Sequence, residues 1–78
     1  MYRLEVRSHL DPLFKKMSRR DPRRMRLIAK CVQRILENPT QFKPLRSPLH
    51  GWRRVHVDSS FVLTFSIDEP RKTVTLED

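Results

Sequence analysis

The chain has 78 residues, with seventeen Lys and Arg against nine Asp and Glu and a net charge of +8. A single domain of this length buries only about 60% of its unfolded surface, so its stability is marginal and many such chains gain stability from a partner; this charge favours a polyanionic one, phosphate backbones first. One cysteine and one glycine exclude an intramolecular disulfide, a cysteine metal cluster and a glycine-rich phosphate loop, and a reducing, cytoplasmic setting is the simplest expectation.

The N-terminus, MYRLEVRSHL, has no long apolar run, so neither a signal peptide nor a membrane span is expected. Tyr2 to Arg7 alternates, with Leu4 and Val6 on one side and Arg3, Glu5 and Arg7 on the other, which predicts a strand with one buried face. Asp11-Pro12 is a helix start: Asp caps free N–H groups and Pro at the first helical position loses no bond. Leu10, Leu13, Phe14 and Met17 then fall at helical spacing, and Ser18 to Arg20 reads as a short connection. Asp21-Pro22 repeats the start signal. The spacing predicts a second helix over Pro22 to Glu37, with Met25, Ile28, Cys31, Val32, Ile35 and Leu36 on its apolar stripe, ended by Asn38-Pro39.

Thr40 to His50 reads as a loop with Phe42, Leu45 and Leu49 tucked beneath it. Gly51 to Ile67 then reads as two strands joined by the polar turn Asp58-Ser59-Ser60. Phe61, Leu63, Phe65 and Ile67 share one face of the second strand. In the first, Arg53, Val55 and Val57 share a face, and Trp52, Arg54 and His56 share the opposite one. A turn at Asp68 to Arg71 leads to a last alternating strand over Lys72 to Glu77, with Val74 and Leu76 inward and Thr73, Thr75 and Glu77 outward. The expected fold is one α+β domain over residues 1–78. It has an N-terminal strand, a two-helix hairpin and a three-strand antiparallel meander, with both helices on the sheet's apolar face and nothing over the other.

Lys15, Lys16, Arg19, Arg20, Arg23, Arg24, Arg26, Lys30 and Arg34 lie in one window whose only acid is Asp21, too few acids for i,i+4 pairing to explain the run. The plainer account is the solvated side of the helices. The functional account is a footprint for RNA phosphates, with Arg23, Arg26 and Lys30 among its contacts; such a footprint is salt-dependent and poor in sequence information. A helix–turn–helix DNA reader is disfavoured, because the turn lacks glycine and Asp21-Pro22 would begin the recognition helix.

His56 is the sharpest single residue. Imidazole titrates near neutrality, and Arg54 stands two residues away on the same face. One group moves protons and the other stabilises negative charge, which suits phosphodiester chemistry. Arg53, Lys43 and Arg46 are the cations expected to help hold a phosphate beside them. The three histidines are too far apart in sequence to suggest a metal site, and no cofactor is expected. Ser59 and Ser60 resemble turn residues more than nucleophiles.

The element order, the stretch KPLRSPLHGWRRVHV and the following FVLTFSID resemble the RelE/ParE toxin superfamily of type II toxin–antitoxin systems, and Gly51 to Asp58 followed by Phe61-Val62-Leu63 is most similar to its YafQ-type branch. The resemblance implies a ribosome-dependent mRNA interferase that uses no metal. In that chemistry a 2′-hydroxyl attacks the adjacent phosphate to leave a cyclic phosphate and a free 5′-hydroxyl. It implies a RelB-like, acidic antitoxin and mRNA on the ribosome as partners, and no membrane. The family's strand histidine matches His56. The family's loop His-Pro-Leu stands here as Lys43-Pro44-Leu45, and its acid before the next strand's aromatic stands here as Ser60, with Asp58 nearby. The arginine that many members carry after that aromatic is Val62. Family members continue past the last strand into a segment bearing a further His or Arg and a Tyr, for which this sequence offers no match before Asp78. The alternatives on the same fold are a ParE-like gyrase poison and an inactive member that only binds an antitoxin or RNA.

Overall fold

A computed structural model of the chain describes residues 1–45 and 51–78. The elements follow in the order β1 (Arg3–Val6), α1 (Asp11–Arg20), α2 (Pro22–Glu37), β2 (Trp52–Asp58), β3 (Phe61–Asp68) and β4 (Thr73–Leu76), with short 3-10 turns at Ser8–Leu10 and Pro39–Gln41. The four strands form one sheet in the order β1-β4-β3-β2. β2, β3 and β4 are the antiparallel meander, and β1 joins it parallel to β4, with Leu4 opposite Val74 and Val6 opposite Leu76. A parallel neighbour needs a long crossover; here the helical hairpin carries the chain from β1 to β2 at the far edge, and the meander returns it to β4 beside β1.

Alternation sets the two faces of the sheet. Val55, Leu63, Phe65, Val74 and Leu76 are buried on one face against Ile28, Cys31 and Ile35 of α2 and Met17 of α1. Phe42 closes the end of this core, its ring edge-on to Phe65 at 5.8 Å. α2 does most of the covering, and α1 leans chiefly on α2.

Several local expectations are corrected. Ser18 to Arg20 is helical, so the hairpin connection is Asp21 alone. Asp21 can serve by itself because its N–H donates to the Met17 carbonyl at the end of α1 while its Oδ1 accepts from the Arg24 N–H at the start of α2. Asp11 is not a cap. The 3-10 turn at Ser8–Leu10 runs straight into α1 and leaves Asp11 in the first helical turn, where its charge suits the positive end of the helix. Leu4 and Leu13, expected inside, are each 41% exposed. β1 is an outer strand with no neighbour on one flank, and α1 packs too far from the sheet to bury its whole stripe. Glu77, expected outward, does project from the open face, but it is only 7% exposed, because other side chains close over it. The expected position of Leu49 lies outside the described residues.

Candidate functional site

β2 is the strand that carries the site. Its register sets Trp52 opposite Ser66, Arg54 opposite Thr64 and His56 opposite Val62, all on the face away from the helices. Arg54 and His56 are both exposed there. Immediately after His56 the pairing with β3 shifts at a bulge between His56 and Asp58, a feature that bends and twists a strand locally. Among the described residues no element lies over this face.

The free edge of β2 is occupied by the segment leading out of the Pro39–Gln41 turn. The Leu45 N–H donates to the Trp52 carbonyl at 2.8 Å, the Arg54 N–H donates to the Lys43 carbonyl at 3.4 Å, and Pro44 bridges Arg53. Lys43 therefore runs alongside Arg54. Together with Gln41, Phe42, Val55 and His56, these two residues line a cleft of about 380 Å³. Three residues expected to act together from sequence, Lys43, Arg54 and His56, are thus brought to one cleft.

The other expected phosphate contacts are not brought there. Arg53 points to the core face, and its Nη1 donates to the Phe42 carbonyl at 2.6 Å and to the Thr40 carbonyl at 3.5 Å. Arg23, Arg26 and Lys30 are exposed on α2, on the side opposite the Ile28, Cys31 and Ile35 stripe. They stand across the molecule from the open sheet face. Arg46 lies outside the described residues, as does His50.

Asp58 and Ser60 are committed elsewhere. The Asp58 carboxylate accepts from the Ser60 N–H at 2.9 Å and from Arg24 Nε at 3.2 Å. Arg24 Nη2 donates to Ser60 Oγ at 2.9 Å, and its guanidinium lies 5.7 Å from the Phe61 ring centre. The Ser60 backbone donor, helped by the Arg24 charge, holds the Asp58 carboxyl below the usual carboxylate range. This clasp pins α2 to the β2–β3 turn. It also corrects the reading of the basic run: Arg24 pairs with Asp21 at 3.7 Å and with Asp58, an acid outside the window.

Sequence reasoning missed a second polar cluster on the open face. Arg7 Nε donates to Glu77 Oε1 at 2.8 Å, Arg7 Nη2 donates to Oε2 at 3.3 Å, and Ser66 Oγ donates to Oε2 at 2.6 Å. The hydrogen bonds from Arg7, reinforced by Ser66, hold the Glu77 carboxyl below the usual range. The signal lay in the outward positions of Arg7 and Glu77, but only the pairing of β1 with β4 makes them neighbours. Among the described residues no group of three or more His, Cys, Asp or Glu is arranged to hold a metal ion.

No protein-family model matches the chain. Over all 78 residues it is 44% identical to a Methanocaldococcus jannaschii protein named "Putative toxin RelE4", spanning 83% of that protein, and 45% identical to an uncharacterized protein of Methanosarcina mazei, spanning 91%. In fold, all of the chain superposes on 93% of a chain from the heterotetrameric YoeB–YefM toxin–antitoxin complex of Staphylococcus aureus, at a TM-score of 0.83 and 13% identity. Likewise 95% of it superposes on 91% of the YoeB/ParE toxin from Agrobacterium tumefaciens, at a TM-score of 0.85 and 12% identity.

Proposed function

The chain belongs to the RelE/ParE toxin superfamily, and from that premise we propose that it is the toxin of a type II toxin–antitoxin pair and an endoribonuclease that cuts mRNA on the ribosome. The observation that carries this reading is the grouping of Lys43, Arg54 and His56 around one open cleft. An RNA strand laid along that cleft meets two cations and a proton carrier. The substrate's 2′-oxygen attacks phosphorus and releases its proton to solvent, and the bond from phosphorus to the 5′-oxygen breaks. His56 protonates the departing oxygen, leaving a cyclic phosphate and a 5′-hydroxyl. Arg54 and Lys43 offset the charge that builds on the phosphoryl oxygens.

The separation of two basic surfaces supports a ribosomal setting. The helix cations Arg23, Arg26 and Lys30 and the sheet cations Arg54 and Lys43 face opposite ways, so a flat ligand cannot reach both. A site walled by ribosomal RNA, with mRNA threaded through it, can engage both. The same helix surface suits an acidic antitoxin segment that folds as it binds. Among the described residues no helix is long and apolar enough to cross a membrane, and we place the protein in the cytoplasm, where its RNA would be.

The test is cleavage of mRNA on translating ribosomes, with wild type compared with His56→Ala. A positioned proton donor contributes about 10²–10⁴-fold, and the variant should lose that much in rate while keeping its fold. Equal cleavage by the two proteins would remove His56 from the chemistry. Ribosomes that stall with intact mRNA, or inhibited gyrase, would move the reading to another toxin class.

A further inference from the structure

The open face carries a second guanidinium in line with the first. Arg54 pairs with Thr64 across β2 and β3, the Glu77 N–H donates to the Thr64 carbonyl at 2.8 Å, and Arg7 continues the β1–β4 register beside Glu77. The line Arg54–Thr64–Glu77–Arg7 therefore crosses the whole sheet, and its ends lie about 14 Å apart at ~4.8 Å per strand. Glu77 turns almost nothing to solvent, since both its oxygens are engaged by Arg7 and Ser66. The Arg7 side chain is 57% exposed. Two of its five N–H donors are held by Glu77, and three remain for a ligand.

We propose that Arg7, braced by Glu77, is a second phosphate-binding residue, holding the RNA backbone at the far side of the sheet from Arg54. The assignment rests on the reading of this face as an RNA-cutting surface. Three features support it. Arginine forks match phosphate geometry and are strongest when already oriented. Glu77 supplies that orientation from a covered position, so the surface presents the cation and not the acid. Thr64, the β3 residue on this line, and Ser66 next along the same face are short, and Thr64 Oγ1 donates to the Asp78 carbonyl at 3.4 Å. Glu5, two residues before Arg7 on the same face, adds a negative charge beside the balanced Arg7–Glu77 pair. The contact is therefore a local hydrogen-bonded one and adds little to long-range steering. Arg7 is a positioning residue here: it fixes where the strand lies, and Arg54 and His56 act on it.

The test measures affinity against salt for a 2′-O-methylated single-stranded RNA that cannot be cut and is long enough to cross the sheet. Arg7→Ala should bind about tenfold more weakly, the cost of one charge-assisted contact. The slope of log affinity against log salt should fall by about 0.7, the loss of one phosphate contact on a single strand. Since Arg7→Ala strands a covered carboxylate, the double variant Arg7→Gln/Glu77→Gln provides the folded control. It removes one positive and one negative charge, so net charge stays at +8, and it should show the same losses. A dinucleotide, too short to span the line, should bind all forms alike. If both Arg7 variants match wild type while Arg54→Ala loses affinity, Arg7 is only a structural partner of Glu77 and the assignment is overturned. If Arg54→Ala also matches wild type, the RNA-binding reading of the face falls with it.

Discussion

Arg53 Nη1 donates to the Phe42 carbonyl at 2.6 Å, and through that bond a side chain on the core face controls a feature of the open face. The bond holds the segment from Phe42 to Leu45 along the edge of β2, and this segment delivers Lys43 to the side of Arg54. Adjacent arginines on one strand thus reach opposite faces, because successive side chains leave opposite sides of a strand.

Arg53→Ala should accordingly act on the cleft without touching RNA. A hydrogen bond from a charged donor to a carbonyl is worth about 1–2 kcal/mol net, and stability should fall by that much. Amide exchange at Leu45 and Arg54, whose N–H groups tie the segment to β2, should accelerate more than exchange at the centre of β3. Unchanged exchange at those two amides would show that Arg53 does not anchor the segment.

Arg54→Ala should affect binding and rate together, because a phosphate clamp acts in the ground state and more strongly in the transition state, as charge builds on the phosphoryl oxygens. Kinetics on ribosome-bound mRNA should show KM rising and kcat falling, whereas His56→Ala should lower kcat with little change in KM. Lys43→Ala should resemble a milder Arg54→Ala. Identical kinetic signatures for Arg54→Ala and His56→Ala would contradict this division of roles.

Phe65 is fully buried at the centre of the core. Phe65→Ala should cost about 3–5 kcal/mol, much of the total stability of a domain this small. Urea denaturation should register the loss as a large drop in midpoint, and binding of an antitoxin should restore part of it.

Three carboxyls lie below their ordinary range: Glu77 through the hydrogen bonds from Arg7, Asp58 through the Ser60 backbone donor, and Glu69 through the Tyr2 hydroxyl and then Lys72. A folded-state pKa below the unfolded one means that the unfolded chain binds protons first on acidification. Their stabilisation is full above about pH 5 and is lost as pH falls below about 4, through the folded values. Melting temperature should be level from neutral to mildly acidic pH and then drop. Glu77→Gln should make that drop shallower, and a variant with an unaltered acid limb would remove Glu77 from the account.

Arg23 and Arg26 are exposed on α2, away from the sheet. Reversing both to Glu should slow association with an acidic antitoxin and weaken its salt dependence, while cleavage of naked RNA at the sheet face should change far less. Association rates that stay the same at every salt concentration would mark this helix face as solvated surface only.

Much of this could be read from the sequence because it is locally encoded. The Asp-Pro starts, the stripe from Ile28 to Ile35 and the period-two alternation of β2 and β3 each depend on residues a few positions apart. Alternation alone puts Arg54 and His56 on one face and Leu63 and Phe65 on the other. The meander could be read too, since its strands follow one another in the chain; what the sequence could not supply is where β1 is seated and which distant segments meet, a long-range choice made by packing the whole chain. The parallel seating of β1 beside β4 brings Arg7 to Glu77 across most of the chain. The folding of α2 over the sheet brings Arg24 to Asp58, turning one member of a basic run into a clasp. The return of the Phe42 to Leu45 segment along β2 brings Lys43 to Arg54. Each joins residues distant in sequence through backbone hydrogen bonds or a shared core, and no local pattern records such meetings because either partner alone would look the same without the other.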